Sequence, residues 1–151
     1  MKFFFIILSF FILGSCSKSE PNLSITCGGD GESEGKKSYI NFDFKEGIVA
    51  VKDVPTAYGL KINKLMVDGG VDEVYTEKEY ELKILESSPS FIKYGFDMEL
   101  TAIEIYYVLD RGSLELSSYT EYTNRDGTLM DMGEGINNPM TSTESCKKPI
   151  V

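Results

Sequence analysis

The stretch that decides the fold is Phe91-Ile92-Lys93-Tyr94-Gly95-Phe96-Asp97-Met98-Glu99-Leu100-Thr101-Ala102-Ile103-Glu104-Ile105-Tyr106-Tyr107-Val108-Leu109. Phe96, Met98 and Leu100 share one parity, with Asp97 and Glu99 opposite. Beyond Ala102 the apolar parity becomes Ile103, Ile105, Tyr107 and Leu109, with Glu104 and Tyr106 opposite. A period of two marks a strand that buries one face. Slipping by one residue turns every side chain to the other face, so the parity change requires a bulge or a turn, expected at Thr101 or Ala102.

Downstream, Asp110-Arg111-Gly112 reads as a tight turn, Leu114 and Leu116 resume the alternation, and Tyr119 to Thr123 extends it. Asn124-Arg125-Asp126-Gly127 is a further turn before Thr128 to Met132, and the Gly-, Asn-, Ser- and Thr-rich tail from Gly133 to Val151 reads as coil pinned through Cys146. Upstream, Ile40, Phe42 and Phe44 alternate with Tyr39, Asn41 and Asp43, and Glu46-Gly47 turns the chain into Ile48-Val49-Ala50-Val51, a first hairpin. Leu60 to Val67 reads as another strand leading to the turn Asp68-Gly69-Gly70. Val71 to Leu85 fits strand or helix, with strand preferred through Tyr80, Leu82 and Ile84. The fold class expected is mainly β, a small antiparallel β-sandwich or barrel with at most one short helix.

Composition narrows the chemistry. The chain has 151 residues, 42% of them apolar, with 15 Lys plus Arg against 24 Asp plus Glu and no His or Trp. This length suits one domain with a real core. Without imidazole, Ser-His-Asp and Cys-His nucleophile systems, histidine metal sites and histidine pH switches are excluded, so the expectation is a protein that is not an enzyme.

At the N-terminus, Met1 and Lys2 precede an apolar run from Phe3 to Leu13, broken only by Ser9, and then Gly14, Ser15 and Cys16. This is a secretory h-region, too short to span a bilayer as a mature helix. Leu13-Gly14-Ser15-Cys16 resembles the lipobox of bacterial lipoproteins, over residues 1 to 16 only. The resemblance implies cleavage before Cys16 and acylation of that cysteine with a diacylglycerol thioether and an N-acyl chain such as palmitate; two or more chains anchor a protein stably. The competing reading, an ordinary secretory signal ending near Ser15, leaves Cys16 paired or free. Ser17 lacks the Asp that retains lipoproteins in the inner membrane, which favours the outer membrane of the envelope. The domain organisation expected is a signal peptide over 1–15, a lipidated tether over 16–26 and one disulfide-stapled β-domain over 27–151.

Loss of Lys2 with the signal leaves 14 basic against 24 acidic residues, a net charge of −10, and a Tyr-rich aromatic set. Such a field repels nucleic acid and raises the encounter rate with a cationic partner, while solubility alone accounts for the same acidity. With Cys16 consumed by lipid, Cys27 and Cys146 form an even pair in an oxidising compartment, expected as a disulfide that closes roughly 120 residues and contributes on the order of 4–5 kcal/mol.

Candidate chemistry is sparse. Asp97 and Glu99 would lie roughly 7 Å apart on one strand face, a spacing open to carboxylate acid/base work but equally that of a solvated face. Asn124, Asp126 and Asp131, with Asp68 and Asp72, offer oxygen ligands, yet turn formation explains them and no metal or cofactor is expected. Arg111 is expected to pair locally with Asp110. Tyr106, Tyr119 and Tyr122 are candidates for a binding surface. In build alone the chain is similar to small disulfide-stapled lipoproteins that block cationic lysozyme-like enzymes or act as immunity or exclusion factors, but the motif stretches of known lysozyme inhibitors are absent and no residue carries over. The function expected is a non-enzymatic, protein-binding envelope lipoprotein. The alternatives are a carbohydrate- or ligand-binding surface lipoprotein and a carboxylate-dependent hydrolase.

Overall fold

A computed structural model describes residues 20–29, 34–96 and 102–148. Eight antiparallel strands follow one another round a closed barrel: β1 (Leu23–Gly28), β2 (Lys36–Asp43), β3 (Ile48–Pro55), β4 (Lys78–Ser87), β5 (Phe91–Gly95), β6 (Ile103–Asp110), β7 (Glu115–Tyr122) and β8 (Met140–Lys147). Closure removes both sheet edges. The sequence-derived first hairpin is β2–β3, with Phe42 opposite Val49. Phe91 to Leu109 divides into β5 and β6. Ile92 and Tyr94 turn inward from the first and Tyr107 and Leu109 from the second, so the parity change falls in the connection. Ala102 lies in a bend there; Thr101, Asp97 and Glu99 lie outside the described residues. A bulge sits elsewhere, between Ile84 and Glu86 of β4.

Three expectations are corrected. Ala57–Asp68 forms the helix α1, not a strand. The Thr56 side chain accepts from the Gly59 amide, and the Gly69 amide donates back to Leu65 and Met66. The residues α1 buries are Gly59 and Asn63, so its packed face carries no apolar periodicity, while the spacing of Leu60 and Ile62 imitates a strand. The tail is not coil: Met140–Lys147 pairs with β7 along its length and with β1 at Thr26 and Cys27. Its alternation is of Ser and Thr, which an apolar pattern does not register. Likewise Leu23–Thr26, expected in the tether, belongs to β1.

The two ends of the barrel differ. At one end the three hairpin turns are short and fixed by their own side chains. Asp43 accepts from the Lys45 and Glu46 amides, Ser88 from the Phe91 amide, and Asp110 from the Gly112 and Ser113 amides. Beneath them Ile25, Phe42, Val49, Ile92, Leu109 and Leu116 fill the interior. At the other end the four connections are long, and α1 lies among them. Asn63, 4% exposed, holds 71–77 by accepting from the Val74 and Tyr75 amides and donating to the Tyr75 carbonyl.

Cys27 and Cys146 are directly opposite on β1 and β8, Cα atoms 4.1 Å apart, and are joined by a disulfide. It therefore ties the closing seam of the barrel. The outer face carries Lys37, Lys52, Glu79, Glu81, Glu104 and Glu121, opposite in parity to the core, which is the reverse of a lipid-facing surface. Among the described residues, no helix is long and apolar enough to cross a membrane.

Candidate functional site

The interior changes character toward the end bearing the long loops. Where the packed half has Phe42 and Val49, the other half has Lys36 and Ser38 on β2, Asp53 on β3, Tyr80 on β4, Tyr94 on β5, Tyr107 on β6 and Glu144 on β8. Each is placed by strand parity. Phe42 meets the Tyr94 ring edge-on at 5.3 Å and Tyr107 stacks on it at 5.2 Å, so an aromatic column joins the apolar half to the polar one.

Asp53 anchors the cluster. Only 7% exposed, it accepts from the Ser38 hydroxyl at 2.6 Å, from Lys36 Nζ at 3.0 Å and, more weakly, from the Tyr80 hydroxyl at 3.4 Å. A buried carboxylate is tolerated because a cation and neutral donors share it. Around it Lys36, Tyr80, Tyr94, Tyr107 and Glu144 border a cavity of about 30 Å³. Burial pushes the Tyr80, Tyr94 and Tyr107 phenols up from their ordinary range, and the negative charge of Asp53 and Glu144 adds to the effect at all three. The Glu144 carboxyl is also raised, chiefly by withdrawal from water, against the opposing pull of Lys36. The phenols are thus held as neutral donors in a region of negative potential.

The tyrosines singled out from the sequence divide. Tyr106 and Tyr119 stack on the outer face of β6 and β7, centroids 4.9 Å apart, whereas Tyr122 has the opposite strand parity. Lys93 Nζ lies 4.0 Å over the Tyr106 ring, and the Tyr106 hydroxyl donates to Glu121 at 2.5 Å. Both faces of Tyr106 are consequently occupied, by Lys93 and by Tyr119. Gly95 makes room for this ladder: a Cβ there would stand 2.7 Å from the Ile105 carbonyl oxygen and 3.1 Å from Tyr106.

Arg111 departs from its expected local pair. Asp110 is taken up by the turn amides, which hold its carboxyl below the ordinary range. The Arg111 guanidinium instead bonds Glu20, donates to Ser87 at 2.8 Å and lies 5.1 Å over the Phe44 ring. It fastens the segment before β1 to the packed end. The turn carboxylates behave as turn formers: Asp126 accepts from Thr128 and Asp131 from the Gly133 amide. Among the described residues, no group of three or more Cys, Asp or Glu could hold a metal ion.

The interior cluster escaped the sequence reading because its members come from six strands. The one available signal is the placing of Lys36, Ser38 and Asp53 at inward parity in strands otherwise apolar on that face. No family model, curated protein or solved structure matches the chain.

Proposed function

We propose that the protein is an envelope lipoprotein, anchored through Cys16, whose barrel is a non-enzymatic module that binds a basic protein at the end bearing the long loops. The observation that carries this reading is the polarity of the barrel. Glu20, four residues after Cys16, is bonded to Arg111 at the packed end, so an anchor at Cys16 would tether the barrel by that end. Strands of eight residues set the opposite end roughly 20 Å away along the barrel. That end bears the polar cavity lined by Glu144, with Asp53 bonded to its neighbours Lys36 and Ser38, and a mature chain cut before Cys16 carries a net charge of −10, which raises the encounter rate with a cationic partner.

The carbohydrate-binding alternative draws less support from the geometry. A sugar platform requires a free aromatic face, and both faces of Tyr106 are taken, by Lys93 and by Tyr119. The hydrolase alternative rests on Asp97 and Glu99, outside the described residues.

The test is capture with residues 17–151 from envelope and host extracts. The expected result is a basic protein held in a complex that dissociates as salt rises. Glycan-array binding without such a protein would favour the carbohydrate reading, and turnover lost on changing Asp97 or Glu99 the hydrolase.

A further inference from the structure

Closure removes the sheet edges where β1 and β8 meet, and they meet through two residue pairs only, Thr26–Lys147 and Cys27–Cys146. Gly28 and Gly29 then take left-handed backbone, φ 68° and 79°, and the ladder goes no farther. Over 140–144, β8 pairs with β7 from Thr120 to Leu116, and no strand lies on its other side among the described residues. These residues are all exposed. The Cys146 amide donates to the Leu114 carbonyl, on the β7 side. Backbone groups alternate in antiparallel pairing, so Glu144, Ser142 and Met140 also turn theirs to β7, and Thr143 and Thr141 turn theirs away. The amides and carbonyls of Thr141 and Thr143 thus line an open edge roughly 17 Å long.

β8 is held in this position by its ladder to β7 and by two hydroxyl pairs, Ser118 with Ser142 at 2.7 Å and Ser117 with Thr143 at 3.2 Å, so the edge is formed before any partner arrives. Proteins blunt such edges with Lys, Pro, a bulge or an inward charge. Between Met140 and Glu144 there is no Lys, Pro or bulge; Pro139 stands just before, and Glu144, opposite the core residue Leu116, is the inward charge. A carboxylate there, on a chain with 24 acidic and 15 basic residues, opposes the edge of a second copy and favours a basic strand. We propose that the basic protein partner docks here by adding an extended segment to the sheet, antiparallel to β8 and beyond the end of β1, with a Lys or Arg beside Glu144. The inference rests on the protein-binding reading and adds to it the surface and the mode of docking. The edge lies in the half of β8 nearest the long loops, the end assigned to the partner.

The test uses the purified full chain, ¹⁵N-labelled and titrated with the extended peptide acetyl-Thr-Val-Lys-Val-Thr-amide. Saturable shifts of the Thr141 and Thr143 amides, with slowed hydrogen exchange there, are expected. The same peptide N-methylated at every residue, which cannot complete a ladder, should bind at least tenfold more weakly, the scale of one or two hydrogen bonds. Thr143→Pro removes an edge N–H that the β7 ladder does not use and should weaken binding about as much. Glu144→Lys should reverse the preference for this peptide over its counterpart with Glu in place of Lys. Should Thr143→Pro unfold the barrel, the N-methylated peptide and Glu144→Lys decide. Equal binding of the N-methylated peptide, shifts confined to the outer face around Tyr106 and Tyr119, or no saturable shift would overturn the proposal. Self-association lost in Thr143→Pro would give the edge to a second copy and overturn it too. A basic protein captured with unchanged affinity by both variants keeps the protein-binding reading and overturns this one. Saturable binding at the edge with no protein captured from extracts supports this inference and overturns the former.

Discussion

Asn63 and Tyr94 are both withdrawn from water, in different settings. Asn63 exchanges its hydration for three hydrogen bonds to the backbone of Val74 and Tyr75. Asn63→Ala should therefore destabilise the fold by about 1–3 kcal/mol, read as a lowered midpoint in chemical denaturation, because three backbone groups lose their partner. Tyr94 keeps its hydroxyl on a cavity. With Tyr80, Tyr106 and Tyr107 it belongs to the phenols raised chiefly by burial. A folded-state pKa above the unfolded one favours the protonated form. The associated stability is thus complete below about pH 10 and is lost as pH rises beyond it. An absorbance titration should show these four phenols of the nine ionising together with unfolding; smooth ionisation of all nine in the native state would contradict their burial. Such residues were poorly legible beforehand. A Tyr in an alternating strand announces its parity but not whether the inward side is filled or hollow, and Asn63 carries no apolar signal.

At the scale of elements, legibility followed locality. The turns at Asp43, Ser88 and Asp110 are programmed by side chains two or three residues from the amides they hold, and the neighbouring strands alternate in apolar residues. These were readable. Helix α1 was not, because its seat is a backbone contact: a Cβ on Gly59 would come within 2.0 Å of the Gly35 carbonyl oxygen. Gly59→Ala, mild in an exposed helix, should here cost about 1–3 kcal/mol through overpacking against rigid main chain, with loss of helical signal in circular dichroism. Equal or greater stability would show that the helix does not sit against the Gly35 backbone as described. Strand β8 was hidden by its Ser and Thr content; its place is set by backbone ladders to β7 and β1, which sequence periodicity does not record.

For the whole molecule, the missing histidine, the acidity and the cysteine pair were legible as composition, and the pair now has a mechanical meaning. The Cys27–Cys146 bridge spans 119 residues and joins the first strand to the last. The intact mass of the oxidised protein should be two hydrogens below the dithiol form. Replacing both cysteines by serine should cost on the order of 4–5 kcal/mol, with the β1–β8 seam exchanging amide hydrogens first. The disposition of a packed end beside Glu20 and a polar cavity at the far end depends on strand order and direction, and so could only be seen once the barrel closed. The most direct test of the account is hydrogen exchange on the protein with its captured basic partner, compared with the protein alone. New protection should appear at the cavity end, in 36–39, 52–55, 78–80 and 140–144. Protection confined to the outer face around Tyr106 and Tyr119, or to the turns at Asp43, Ser88 and Asp110, would contradict it.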